Sequence, residues 1–586
     1  MCHGNAGFCR LLDSGVGLPS LMYLYRDAMF NLKKLLTKKP DHPMANLREA
    51  KKLLADLPIQ DAYKSLEEIN FWLDSVKDAQ GYRLPDRIEV LKYLDETAQP
   101  LQHKLLKDYL AAPRMNKIQE NRLWLVLVEF WKRLTAAYLQ CIEEFASGGL
   151  GANEIVDELP LMTLRAIRGL NAQSKMLHLR YRPVEGQMWN EACELFLLAE
   201  KKSFARNSMI PYAGSSTTSV LQEFLKLLMV ETSAPQSLSP LQIELAYRLA
   251  DQYVVSFMFG DHIDKGCHFI DLSACKAPSK VGTDTRPHAM MRFFGAGSAP
   301  QKIQALIRQT TLGEIPPELR LAGAAKKEDL LDLLKHLMQY WSATPPHRKH
   351  AREKRMSRLN LVHGMSEIRR KITLSPSDAL PSVTANNDLI YQERLDLKLY
   401  GFITEKTKQI VVEAKAKVER IETEEERTES WVIENTSECG FGAVIPHLVE
   451  DWLKIGVLLG LRAEEDSNWQ VGVVRRLSRD SQMKILVGIQ LLAHEPVSVR
   501  LRPLIQAQSV WDIQTEAAAY EHLYGMLLTK DEHCGGESSL LLEPASVAPN
   551  GQYELLLRDE KYIIRITEVL EQGEGFERTG FAVVSE

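Results

Sequence analysis

Around Ser342 the spacing of apolar residues switches from that of helices to that of strands, so no single layer architecture accommodates the whole chain. From about Leu21 to Trp341, segments such as NLREAKKLLADL, AYKSLEEINFWLDSVKDA and NRLWLVLVEFWKRLTAAYLQCIEEF repeat apolar residues at three- and four-residue intervals, as amphipathic helices do. A glycine-rich break, Ser147 to Gly151, predicts a linker between two helical domains, and no fixed period identifies tetratricopeptide repeats. Between Phe257 and Phe294 short β-like runs predict a small sheet within the second of these domains.

At 586 residues the chain exceeds one hydrophobic core, and a prior of about 150 residues per domain predicts about four units. The expected organisation is a tail over 1–20, a helical domain over 21–150 and a second helical domain with a small β element over 151–341. A strand-rich domain over 342–500 follows, with a charged helical insert at about 385–427, and then a helix with a small β domain over 501–586. The boundary at Ser342 opens with a Pro-Pro turn and a basic run to Arg358, with strand text starting at LNLVHG. From Glu429 the runs SWVIENTS, KIGVLLGLRA, WQVGVVRRLS and MKILVGIQLL predict a small antiparallel barrel. In the tail, TEAAAYEHLYGMLL reads as a helix, and SLLLEP, QYELLLRD, KYIIRITEVLEQ and FERTGFAVV read as strands.

Composition excludes several classes. A net charge of −5 gives no overall attraction to nucleic acid or anionic membrane, so any anion site must be a local patch. No window of about 20 residues is continuously apolar, and the start of the chain has no secretory pattern, so a cytoplasmic location is expected. The eight cysteines contain no CxxC pair, which argues against a disulfide framework or zinc knuckle. Cys267, His268 and Cys275 match no structural zinc spacing, and no metal or cofactor is expected. No P-loop, dinucleotide fingerprint, HExxH or nucleophile elbow is present, and a non-enzymatic role is expected. His347, His350 and His363 read as polar loop and strand residues.

Two short motifs carry chemistry. Arg348 and Arg352 form an RxxxR spacing in the basic segment before the first barrel strand, and Asn435, Ser437 and Gly440 form an NxSxxG spacing at a strand end. An arginine fork donates to guanine O6 and N7 together, or to a phosphate, and stacks on a base. Asparagine offers a carboxamide, serine a hydroxyl, and glycine a close backbone approach or a positive φ. Each motif has a plainer use: Arg83 with Arg87 and Arg475 with Arg479 share the arginine spacing, and NxSxxG can simply close a hairpin. Arg355 and Arg358 continue the basic run, so that Lys354 with Arg358, or Arg355, are alternative clamp members.

The two motifs in this order, with the GVVR and VGI text after them, resemble the PilZ family over about Arg348 to Ala493. The resemblance implies a six-stranded antiparallel barrel, here carrying a helical insert, within a multidomain α+β chain whose N-terminal half is α-helical and whose C-terminal β domain is small. It implies cyclic di-GMP bound by Arg348, Arg352, Asn435, Ser437 and Gly440, with Arg355 and Arg358 as additional contacts. It further implies signalling to a protein partner through the helical half, in control of motility, pili or biofilm, with homodimerisation through the insert helix open. The rivals are a ligand-free PilZ-like scaffold and a nucleic-acid adaptor using the basic run, which has no interleaved aromatics for stacking.

Overall fold

The computed structural model describes residues 40–585 apart from 59, 112–114, 275, 321–324, 347–349, 374–427, 446–451, 481, 505–521, 531–536 and 558–559. The chain forms two compact units, residues 1–173 with 195–223, and residues 174–194 with 224–586.

The first unit is helical, with α1 (Leu47–Ala55), α2 (Ala62–Asp78), α3 (Leu84–Leu110), α4 (Lys117–Ala146) and most of α5 (Leu159–His178). Helix α2 starts where Asp61 accepts from the Lys64 N–H, and α4 where Asn116 accepts from the Ile118 N–H. Three- and four-residue spacing sends Trp124, Leu127, Phe130, Trp131, Leu134, Tyr138 and Cys141 of α4 inward. At Gly169 a Cβ would lie 2.2 Å from Thr135 Oγ1, so glycine permits the close crossing of α5 over α4. A charged network fills the middle. Fully buried Asp95 accepts from Tyr138 Oη at 2.8 Å and Tyr212 Oη at 3.1 Å and pairs with Arg165 Nη1 at 3.3 Å. Burial pushes the Asp95 carboxyl up, and Arg165 opposes that push.

The glycine-rich break is not a domain boundary. Ser147 to Gly151 turns inside the first unit: the Leu84 N–H donates to Leu150 O at 2.8 Å, and Arg83 pairs with Glu154 at 2.7 Å, which draws the turn back onto the start of α3.

The second unit includes α8 (Pro240–Tyr253), opened by a Ser239–Gln242 capping box, α9 (Ala299–Thr311) and α10 (Lys327–Tyr340). Helices α6 (Gly186–Lys201) and α7 (Val220–Thr232) contribute to both units. Between α8 and α9 lies a four-stranded sheet of β1 (Met258–Gly260), β2 (His268–Asp271), β3 (Ser279–Lys280) and β4 (Met291–Gly295), in the order β1-β4-β2-β3.

Two closed antiparallel barrels follow. The first contains β5 (Glu353–His363), β6 (Glu429–Ser437), β7 (Gly440–Ile445), β8 (Leu458–Ala463), β9 (Gln470–Arg479) and β10 (Ile485–Ala493), ordered β10-β7-β6-β5-β8-β9. Its interior takes alternate residues, including Leu359, Leu361, Trp431, Ile433, Leu459, Leu461, Val487 and Ile489. The second contains β11 (Pro496–Pro503), β12 (Leu523–Leu528), β13 (Ser539–Leu542), β14 (Gln552–Leu557), β15 (Glu560–Gly573) and β16 (Phe576–Ser585), ordered β11-β12-β13-β16-β15-β14. Helix α11 (Met365–Thr373) follows β5, and its Ile368 and Ile372 join an apolar layer that the two barrels share. Leu458, Trp469, Val471, Val473 and Leu492 of the first meet Met526, Leu528, Leu541 and Phe576 of the second.

Three expectations change. Strand text starts at Glu353 rather than at Leu359, so Arg355 and Arg358 belong to a strand, because β5 extends along β6 as far as Thr436. Pro496–Pro503 belongs to the second barrel, paired with β12 and β14, which moves that boundary upstream of 500. Leu523–Leu528, read as the end of a helix, is β12; the start of that predicted helix and the insert at 385–427 lie outside the described residues.

Candidate functional site

The pairing of β5 with β6 brings the Arg352 end of the first motif to the second. Glu353 lies opposite Thr436 and Lys354 opposite Asn435, so exposed Arg352 enters the sheet beside the NxSxxG turn. Arg348 lies outside the described residues.

The segment leading into β5 is held at several points. Buried Trp341, just after α10, donates from Nε1 to Ser233 Oγ at 2.8 Å; Lys280 Nζ donates to Pro346 O at 2.5 Å. At its other end His350 Nδ1 meets Glu438 Oε2 at 2.9 Å, and Nε2 lies 3.9 Å from Cys439 Sγ. Glu438 and Cys439 are the two residues between paired Ser437 and Gly440, so the basic segment is fastened to the turn of the second motif.

That turn is built by close approach. The Ser437 hydroxyl donates to Gly440 O at 3.3 Å. A Cβ on Gly440 would lie 2.3 Å from the Ile489 carbonyl oxygen of β10, so glycine serves backbone proximity there. A register shift at Glu434 in β6 against β7 marks a bulge that re-aims the end of the strand from Asn435 onward. Phe441 and Ala443 face the barrel core, which turns Gly442 between them outward. The Asn435 carboxamide lies across Gly442, within 2.5 Å of where a Cβ would stand, so Asn435 faces the outer surface. Its Oδ1 is buried and has no hydrogen-bond partner among the described residues. A buried acceptor without a donor is costly, and a ligand N–H supplied there removes the cost.

The remaining arginines divide by their partners. Arg355 pairs with Glu465, and Arg358 is exposed opposite Val432 on the outer face of β5. The other two RxxxR spacings are used otherwise: Arg83 pairs with Glu154 and Arg87 with Glu144, while Arg475 donates to Gln490 at 2.8 Å and pairs with Glu571 at 2.6 Å. Two participants carried no assigned role in the sequence. Gly442 is signalled only by its two-residue spacing from Gly440, and His350 only by its place inside RKHAR. Among the described residues no group of three or more His, Cys, Asp or Glu side chains is arranged to hold a metal, and no helix is long and apolar enough to cross a membrane.

Two family models match the chain. One, described as the N-terminal domain of the cyclic-di-GMP receptor FimW, covers residues 48–261; the other, its middle PilZ domain, covers residues 383–497, and together they span more than half of the chain. The chain belongs to this family of PilZ-containing cyclic di-GMP receptors. The PilZ match includes Asn435, Ser437 and Gly440 and begins after the basic segment, so within the receptor it is the strand register that relates Arg352 to the PilZ motif. No match to a curated protein was found for the receptor.

Proposed function

We propose that the receptor binds cyclic di-GMP on the outer face of its first barrel, with Arg348 and Arg352 closing over a surface formed by Asn435, Ser437 and Gly440. The carrying observation is the β5–β6 register, which leads the chain from Arg352 past the turn, beside an Asn435 Oδ1 that is buried and unpartnered among the described residues. Guanine offers O6 and N7 to an arginine fork and an N–H donor to a carboxamide oxygen, and its phosphates need the positive charge of the second arginine. Arg358, exposed on the same strand, is a further contact, whereas recruiting Arg355 requires breaking its pair with Glu465.

Ligand capture engages the segment that follows α10, and the output is passed to a protein partner through the helical part of the chain, in a bacterial surface process such as motility, pilus function or biofilm formation. Support for this route comes from the ties inside the second unit. The Arg479 N–H donates to Tyr181 O at 2.8 Å, Tyr181 Oη donates to Leu238 O at 3.1 Å, and Tyr181 packs against the barrel core.

The test is calorimetric titration of the full chain with cyclic di-GMP, with GTP as control. Selective binding that is lost in both Arg352→Ala and Ser437→Ala supports the site. Absence of binding in the unaltered chain by calorimetry and by a labelled-ligand assay supports a ligand-free scaffold instead.

A further inference from the structure

The shared side of the two barrels carries a second polar recess, away from the RxxxR and NxSxxG motifs. Met365, Ser366 and Arg369 of α11 form one wall, His522, Leu523 and Tyr524 at the start of β12 another, and Glu543 and Ser546 after β13 the third. Arg369 is half-buried, its guanidinium 4.1 Å above the Tyr524 ring centre, and makes no ion pair or side-chain hydrogen bond among the described residues. Stacking satisfies the face of a guanidinium and leaves its edge of N–H donors open. His522 Nδ1 and Ser546 Oγ, in the same recess, are buried and unpartnered among the described residues. Buried polar groups almost always have partners, so two unsatisfied buried groups beside the open edge of Arg369 ask for a single polar occupant. Burial lowers the Arg369 pKa, and neighbouring Tyr524 and Glu543 oppose this; the guanidinium nonetheless remains charged. Glu543 stands in the lining and acts on Arg369 through space but closes no ion pair with it among the described residues, so the N–H edge of the guanidinium stays available.

We propose that this recess binds a small ligand through an oxyanion, carboxylate or phosphate, held by the Arg369 edge, the His522 ring and the Ser546 hydroxyl. A charge-assisted bond from the guanidinium and a hydroxyl donor match such a group, and stacking on Tyr524 holds the fork in place. The recess joins α11 to the second barrel, so its ligand would register at the interface of the two barrels.

The experiment titrates the full chain with inorganic phosphate and, separately, with malonate, by calorimetry at low ionic strength. Binding of either, weakened about tenfold or more in Arg369→Gln and reduced in Ser546→Ala, supports the assignment, and whichever anion binds tighter identifies the class. Circular dichroism and a cooperative thermal transition establish that each variant is folded; if Arg369→Gln is not, His522→Ala takes its place. No binding of either anion at millimolar concentration overturns the proposal. So does binding unchanged by the Arg369 and His522 variants, or binding abolished by Arg352→Ala instead, which would place the anion on the basic segment.

Discussion

Gly440 and Gly442 both leave too little room for a side chain, against different neighbours. A side chain on Gly440 meets the backbone of β10, which cannot step aside, so Gly440→Ala is expected to lower stability by about 1–3 kcal/mol in denaturant titration. A Cβ on Gly442 meets the movable Asn435 carboxamide first; Gly442→Val is therefore expected to leave the barrel folded and weaken cyclic di-GMP binding about tenfold by calorimetry. His268 makes the pH prediction. Burial in the small sheet, with Lys280 adding to it, lowers its pKa to about 4, while its ring stacks on Phe294. The folded chain therefore keeps it neutral, and the unfolded chain protonates it near its ordinary value of 6.5. Its contribution is fully present above pH 6.5 and falls away as pH drops toward 4, a loss of about 3 kcal/mol. Urea titrations of the native chain and His268→Phe across this range should diverge in slope; parallel curves would mean that His268 is not the titrating group.

At the scale of elements, bulges and a fastened segment shape the proposed site. The fastening of His350 to Glu438 holds the basic segment on the second motif, so His350→Ala is expected to weaken cyclic di-GMP binding several-fold, mainly through a slower association rate in stopped-flow measurements. An unchanged rate would show that the segment orders without that contact. Alternation of period two made most barrel strands readable, from SWVIENTS to MKILVGIQLL, because one face of each is buried in a closed sheet. It failed at Arg355 and Met356, where a bulge interrupts the alternation, so the start of β5 read as a flexible basic run. Leu523–Leu528 was opaque because a short apolar run fits either period. Asn435 was legible as a motif residue, but its outward aim depends on the Glu434 bulge, which no spacing announces.

At the scale of the molecule, the two barrels are one thermodynamic object on the side where they meet. Leu458, Val471, Val473, Met526, Leu541 and Phe576 are all buried in the common layer, so both should melt in a single calorimetric transition; two resolved transitions would contradict this. Phe576→Ala is expected to destabilise the pair by about 3–5 kcal/mol and to shift that transition as a whole. The assignment of β11 was hard to foresee for the same reason: only His494 and Glu495 separate it from β10, yet it pairs entirely in the other barrel. This continuity has a consequence for synthesis. The ribosome delivers the last strand of the first barrel, ending at Ala493, well before Phe576. At about 5–20 residues per second, the outer apolar face of that barrel waits for seconds without its cover on every nascent chain. The receptor should therefore depend on a holding chaperone during that interval, most acutely when translation stalls between β10 and β16.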